Sequence, residues 1–153
     1  MMIKQYAVAL GMIALSGTTC LAGYSFSLPS FKGGGTVSLP TSGIAIVDFW
    51  ASWCAPCKAS FAHYNTLAAK GIHIIGINQD KDKKEGEKFL SSTPANFSLA
   101  WDEGGKVYSA YGVGSMPTAY LFNNGSLVKT FPGFNSGTPK EMEAEIEKTK
   151  GKK

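Results

Sequence analysis

Ile44-Ala45-Ile46-Val47-Asp48-Phe49-Trp50-Ala51-Ser52-Trp53-Cys54-Ala55-Pro56-Cys57 is an apolar, β-rich run that passes through a short break into a CxxC pair. Its first seven residues fit a buried strand, and the stretch from Pro56 through Phe61 to Leu67 fits the helix that follows, so Cys54 falls at the N-terminal end of that helix. The first backbone N–H groups of a helix lack intrahelical partners, and its dipole favours negative charge there. A thiolate at Cys54 is therefore stabilised, and the thiolate is the nucleophilic form of cysteine. Cys57, one turn further in, feels less of that field and stands where it can attack a mixed disulfide formed at Cys54. A strand running into CxxC at a helix start points to redox chemistry.

Working outward, Tyr24-Ser25-Phe26-Ser27-Leu28 and Thr36-Val37-Ser38-Leu39 alternate apolar and polar residues as half-buried strands do, and Lys32-Gly33-Gly34-Gly35 between them reads as a turn. The spacing predicts an N-terminal hairpin. Ile72 to Asn78 is the next β-rich run and, arriving after a helix, suggests a parallel βαβ unit. Lys81 to Leu90 has helical spacing and is expected to end at Ser91-Ser92-Thr93-Pro94. Phe97 to Trp101 fits a short strand, Asp102 to Gly105 a turn, and Val107 to Tyr111 a short helix stopping at Gly112. Thr118 to Phe122, the turn Asn123-Asn124-Gly125-Ser126, and Leu127 to Phe131 form a second hairpin. Pro139 to Lys148 fits a terminal helix, with Glu141 in its first turn and Lys148 near its end.

The chain has 153 residues and a formal charge of +4, with lysines as its only Lys/Arg cations. Bidentate phosphate recognition is arginine work, so the composition gives nucleic-acid binding little support. Lys4, the apolar stretch Tyr6 to Leu15 and the small residues Ser16 to Thr19 have the layout of a secretory signal, which divides the chain into a signal or anchor over 1–22, a domain over 23–149 and a basic tail over 150–153. The apolar stretch is short for a membrane span. Cleavage after Ala22 or Gly23, retention as an anchor, and lipidation at Cys20 all stay open, although Gly17 and Thr19 are not the residues that usually precede a lipidated cysteine. Beyond the signal the chain carries only Cys54 and Cys57, so disulfides do not serve as its structural framework.

Cys54-Ala55-Pro56-Cys57 between strand and helix, Trp101-Asp102, and Tyr111-Gly112-Val113-Gly114-Ser115-Met116-Pro117-Thr118 before a strand give a chain that resembles the thioredoxin superfamily, and within it the exported TlpA/ResA-type thiol–disulfide oxidoreductases. The resemblance runs from about Phe26 to Lys148. It implies an α/β, thioredoxin-like fold: a central mixed β-sheet flanked by helices, with an N-terminal β-hairpin and a helical insertion near Lys81 to Leu90. It also implies a cis bond before Pro117, a Met116 backbone that pairs with an extended substrate segment, and a recognition surface of Trp53, Met116, Pro117 and Thr118 around the redox disulfide Cys54–Cys57. The implied partners are exported proteins with disulfides, apocytochrome c among them, and a membrane electron donor. The implied location is the periplasm or the outer face of the cytoplasmic membrane, a monomer is the family default, and the chemistry uses no cofactor or metal.

Asp48 is an acidic residue inside an otherwise apolar strand, where burial raises a carboxyl pKa and permits proton exchange. Thioredoxins carry a buried Asp six residues before the first cysteine, the spacing of Asp48 from Cys54. The resemblance thus implies that Asp48 deprotonates Cys57, through water, when Cys57 resolves the mixed disulfide. TlpA/ResA-type proteins more often place Asn there and a Glu three residues after the second cysteine; this chain has Ser60 at that place. The lysine that partners the Asp in many thioredoxins is replaced by Gly76.

Other chemistries use the same residues. Two thiolates suit copper(I), so a metallochaperone is the competing reading, although His63 and His73 are poorly spaced to join the cysteines as ligands. A dithiol oxidase or isomerase would carry the same motif, since direction depends on reduction potential. A thiol peroxidase would need a Thr-x-x-Cys arrangement that is missing. Trp50 reads as core or rim, and Lys58 as a cation that aids the thiolate or is simply solvated.

Overall fold

The computed structural model describes residues 23–152, so the signal segment 1–22 with Cys20, and Lys153, lie outside the described residues. Seven strands and four helices follow in the order β1 (Ser27–Pro29), β2 (Thr36–Ser38), β3 (Ile44–Trp50), α1 (Ala55–Ala69), β4 (His73–Asn78), α2 (Lys83–Ser92), β5 (Ser98–Trp101), α3 (Lys106–Ala110), β6 (Thr118–Asn123), β7 (Ser126–Pro132) and α4 (Thr138–Lys150). The main sheet has the order β5-β4-β3-β6-β7. β3, β4 and β5 run parallel, while β6 and β7 are antiparallel to their neighbours. This is the thioredoxin-like arrangement that the resemblance implies.

β3 is central because both of its faces are apolar: Ala45 through Trp50 are all buried. Strand geometry sends Ala45, Val47 and Phe49 to one face and Ile46, Asp48 and Trp50 to the other. Ile46 and Trp50 join Phe61, Tyr64 and Leu67 of α1, Phe89 and Leu90 of α2, and Met142 and Ile146 of α4 in one core cluster. Val47 and Phe49 join Ile75, Ile77, Tyr111, Tyr120 and Phe122 in the second. Each fully buried large side chain contributes roughly 1.5–3 kcal/mol. The motif-bearing strand is therefore fixed from both sides.

Several elements differ at their ends from the sequence expectation. The first strand forms its ladder over Ser27–Pro29 and not from Tyr24, although Tyr24, Phe26 and Leu28 do alternate inward onto the second cluster. The alternation reports burial, and pairing starts later. This hairpin is a separate two-stranded sheet, joined to the main one by a bridge between Ser30 and Ala100. α2 starts after Asp82, whose side chain accepts a hydrogen bond from Lys84 N as an N-cap. It then continues through Ser91 and Ser92, whose hydroxyls bond back to the carbonyls of Lys88 and Phe89. The β6–β7 turn has Asn124 and Gly125 at φ of 51° and 76°, the left-handed pair that a two-residue hairpin loop requires. α4 runs to Lys150, two residues further than expected.

Candidate active site

β3 ends at Trp50, and Ala51-Ser52-Trp53 turn the chain into α1, with Cys54 N donating to Ala51 O at 3.1 Å. Cys54 is the N-cap of α1, with extended backbone at φ −89° and ψ 96° and no capping hydrogen bond from its side chain. Pro56 sits in the first turn, where its missing N–H costs nothing. That turn carries no acidic residue and one lysine, Lys58, which is exposed. The local field at Cys54 is accordingly positive.

Cys54 and Cys57 are joined as a disulfide with Cα atoms 5.4 Å apart. Cys57 is fully buried, whereas Cys54 keeps 4% of its surface exposed. Next to them Trp53 stands out with 71% exposure. Two clefts border it: one of about 380 Å³ lined by Trp53, Lys58, Glu85, Lys88 and Phe89, and one of about 530 Å³ lined by Trp53, Gln79, Lys81, Asp82 and Glu85.

The turn before Cys54 is held by a residue that the sequence pattern did not single out. Asp80, 5% exposed, accepts from Ser52 N at 3.0 Å and Ser52 Oγ at 2.8 Å, and from Asn78 Nδ2 at 2.8 Å. Its backbone is fixed by Asp80 N donating to Asn78 Oδ1 and by Trp101 Nε1 donating to Asp80 O. α2 closes over it through Gly86, where a Cβ would come within 2.7 Å of Phe31, 3.0 Å of Asn78 Nδ2 and 3.2 Å of Asp80. The sequence signal was the Asn78-x-Asp80 spacing, since an Asn side chain readily bonds the backbone two residues on. Asp102, also buried, accepts from Val107 N and Tyr108 N in the first turn of α3.

Asp48 is fully buried and pairs in register with Gly76 on β4 and Ala119 on β6. Burial pushes its carboxyl well above the usual carboxylate range, and the hydrogen bond from Tyr64 OH to Oδ1 at 3.0 Å opposes this only in part. Oδ2 has no hydrogen-bond partner among the described residues. Ser60 is buried, but its hydroxyl donates to the Cys57 carbonyl at 3.0 Å.

The Met116–Pro117 peptide bond is cis. Because Thr118 pairs with Phe49 at the C-terminal end of β3, the sheet register brings Met116-Pro117 to the end from which Cys54 emerges. Pro117 is buried, and Met116 is half-buried and packs against both core clusters. Thr118 turns its side chain inward, donating to Ser115 O at 2.7 Å. Trp50 is core, packed on Phe31, Phe61 and Phe89. His63 lies half-buried beside Tyr64 and Phe134, and His73 opens β4 at the sheet end away from the cysteines.

A cystine capping a helix that follows the central strand, with a cis-proline loop at the same sheet end, defines a thiol–disulfide oxidoreductase of the thioredoxin type. Residues 14–148 match the Redoxin family, and the chain belongs to it as a TlpA/ResA-type member of the thioredoxin superfamily. It is 29% identical over 135 residues to the thiol-disulfide oxidoreductase ResA of Bacillus thuringiensis (strain Al Hakam), covering 85% of this chain and 72% of the relative. The ResA of Geobacillus kaustophilus is 29% identical over 153 residues, covering 96% of this chain and 82% of the relative. Among solved structures, a Chlorobium tepidum protein assigned as a thiol:disulfide interchange protein DsbE is 36% identical with a TM-score of 0.78, over 83% of this chain and 94% of that one.

Proposed function

We propose that this oxidoreductase is an exported reductant of protein disulfides, with cytochrome c maturation as the setting to which its ResA-type likeness points. The observation that carries the proposal is the asymmetry of the pair: Cys54, at the helix start, keeps a small exposure of 4%, and Cys57 has none. The order of events follows. The Cys54 thiolate attacks a substrate disulfide, forming a mixed disulfide and releasing one substrate sulfur as a thiolate that takes a proton from water. Cys57 gives its proton, through water, to Asp48, attacks Cys54 and closes the ring, releasing the second substrate sulfur with its electron pair. Two electrons pass from the dithiol to the substrate, and a membrane dithiol donor restores the protein.

Trp53 and the backbone of Met116, Pro117 and Thr118 are the proposed substrate surface, supported by the exposure of Trp53 and by the register that brings both segments to one end of the sheet. Export is supported by the basic and apolar layout of residues 1–22, with residues 23–149 as the exported domain and 150–153 as its tail. Anchoring would come from that N-terminal segment, since no helix among the described residues is long and apolar enough to cross a membrane.

Equilibration with glutathione tests the direction of electron flow. A reductant is expected to lie near the roughly −270 mV of thioredoxin, and a value near the roughly −120 mV of strong periplasmic oxidants would overturn the proposal.

A further inference from the structure

We propose that Tyr64 is a positioning residue of the redox site: its hydroxyl holds one carboxylate oxygen of Asp48 and leaves the other to receive the proton that Cys57 gives up. This inference rests on the proton-acceptor role of Asp48 given above. It starts from the two departures noted in the sequence, Ser60 and Gly76, each at a place where related proteins carry a charged side chain.

The structure explains why neither departure is filled by another charge. At Gly76 an added Cβ would lie 3.0 Å from Leu99, 3.1 Å from Trp50 Nε1 and 3.2 Å from Phe97, so a longer side chain from β4 would have to push these three side chains aside. From β6 the residue in register is Ala119, and α4 contributes the apolar Met142 and Ile146 to this core cluster. Ser60 spends its proton on the Cys57 carbonyl. Among the described residues, the side chain that hydrogen-bonds Asp48 is Tyr64, at 3.0 Å, while the buried Trp50 Nε1 makes no hydrogen bond. Beside Tyr64 stands His63, half-buried and within the field of the Lys70–Glu143 ion pair, and reduction of the cystine adds the Cys57 thiol to the titratable groups on this side of the sheet.

Tyr64 follows Cys57 by seven residues on α1, two turns along the same inward stripe. Its ring is fixed edge-on against Phe97 and Phe134, with centroids 6.1 and 6.3 Å away. Burial and the neighbouring carboxylate push its hydroxyl well above the ordinary phenol range, so it stays a donor at neutral pH. A phenylalanine would fill the same core space; the hydroxyl donates to Asp48 and has the Ser60 hydroxyl as its other polar neighbour. With Oδ1 engaged, Oδ2 is the unpaired acceptor. The step balances: the Cys57 S–H bond breaks as its proton passes through water to Oδ2, the Cys57–Cys54 bond forms, and the bond from Cys54 to the substrate sulfur breaks. The protein is oxidised by two electrons and the substrate reduced by two, while Tyr64 keeps its proton throughout.

A hydrogen bond donated to a carboxylate favours the ionised form. In Tyr64→Phe, Asp48 should hold its proton to higher pH. The acid limb of the resolving step, read as product release from a preformed Cys54 mixed disulfide, is expected to move up by about one pH unit, about tenfold in rate at a fixed pH below the limb. Alkylation of Cys54 should be unchanged. In the oxidised protein, the infrared carboxyl band that Asp48→Asn removes should titrate at higher pH in Tyr64→Phe, independently of activity. If Asp48→Asn abolishes the limb and the band while Tyr64→Phe moves neither, Tyr64 is packing alone and the inference is overturned. A limb that survives in Asp48→Asn would instead overturn the acceptor role of Asp48, and the inference with it.

Discussion

Asp48 is a carboxyl group enclosed in the centre of the sheet without a countercharge, and this sets its effect on stability. In the unfolded chain it titrates near about 3.9, whereas burial raises its folded value. Between the two values the native state binds more protons than the unfolded one, so stability is full below the unfolded value and falls as pH rises through the folded one. Asp48→Asn should remove this slope. The variant is expected to gain stability at neutral pH, by up to about 1.4 kcal/mol for each unit of raised pKa, and to gain nothing below about pH 3. Denaturant titrations at the two pH values check it, and an equal effect at both would contradict the argument. That Cys54 and Cys57 pair and that Asp48 is buried could be read from one contiguous stretch, whereas the cis bond before Pro117 was expected from the resemblance alone. Tyr64 was not legible, because the contact of its hydroxyl with Asp48 depends on how α1 lies across β3, and a tyrosine on an inward stripe reads as packing.

The elements around the cysteines are tied together by Asp80, which joins the β4–α2 connection to the turn after β3. The sequence leaves Gln79 and Asp80 between the β-rich run Ile72 to Asn78 and the helical stretch that opens at Lys81, so the burial of the Asp80 carboxylate under Gly86 became visible only with α2 in place. Asp80→Ala would leave Ser52 N–H, Ser52 Oγ and Asn78 Nδ2 without their acceptor. An orphaned buried donor costs about 1–3 kcal/mol, so a loss on the order of 3 kcal/mol is expected, part being relieved by water at Ser52. The Ala51-Ser52-Trp53 turn should loosen with it, raising amide exchange at Ser52 and Trp53. Unchanged stability and exchange would show that the turn stands without the clamp. Helix ends were less legible than helix bodies: capped by Asp82, α2 starts two residues later than the charge pattern suggested, and back-bonded serines lengthen it.

At the scale of the whole molecule, fold class was readable because a parallel βαβ unit, a final hairpin and the CxxC between strand and helix carry the family resemblance, whereas the strand order was not read from the sequence. The docking of the N-terminal hairpin was not readable. It depends on Phe31, which sits in a glycine-rich turn yet is 2% exposed, packing on Trp50 while its N–H bonds Leu99 O at 2.8 Å. Phe31→Ala is expected to cost about 3–5 kcal/mol in a denaturant titration, and a loss below 1 kcal/mol would mean that the hairpin is peripheral. The account depends most on Cys54 being the reachable, ionisable sulfur. Timed alkylation of the reduced protein across pH, with each cysteine identified by mass, tests it directly. The expected result is modification at Cys54 first, with a midpoint below the ordinary thiol value of about 8.5; modification first at Cys57, or a midpoint at or above that value, would contradict it.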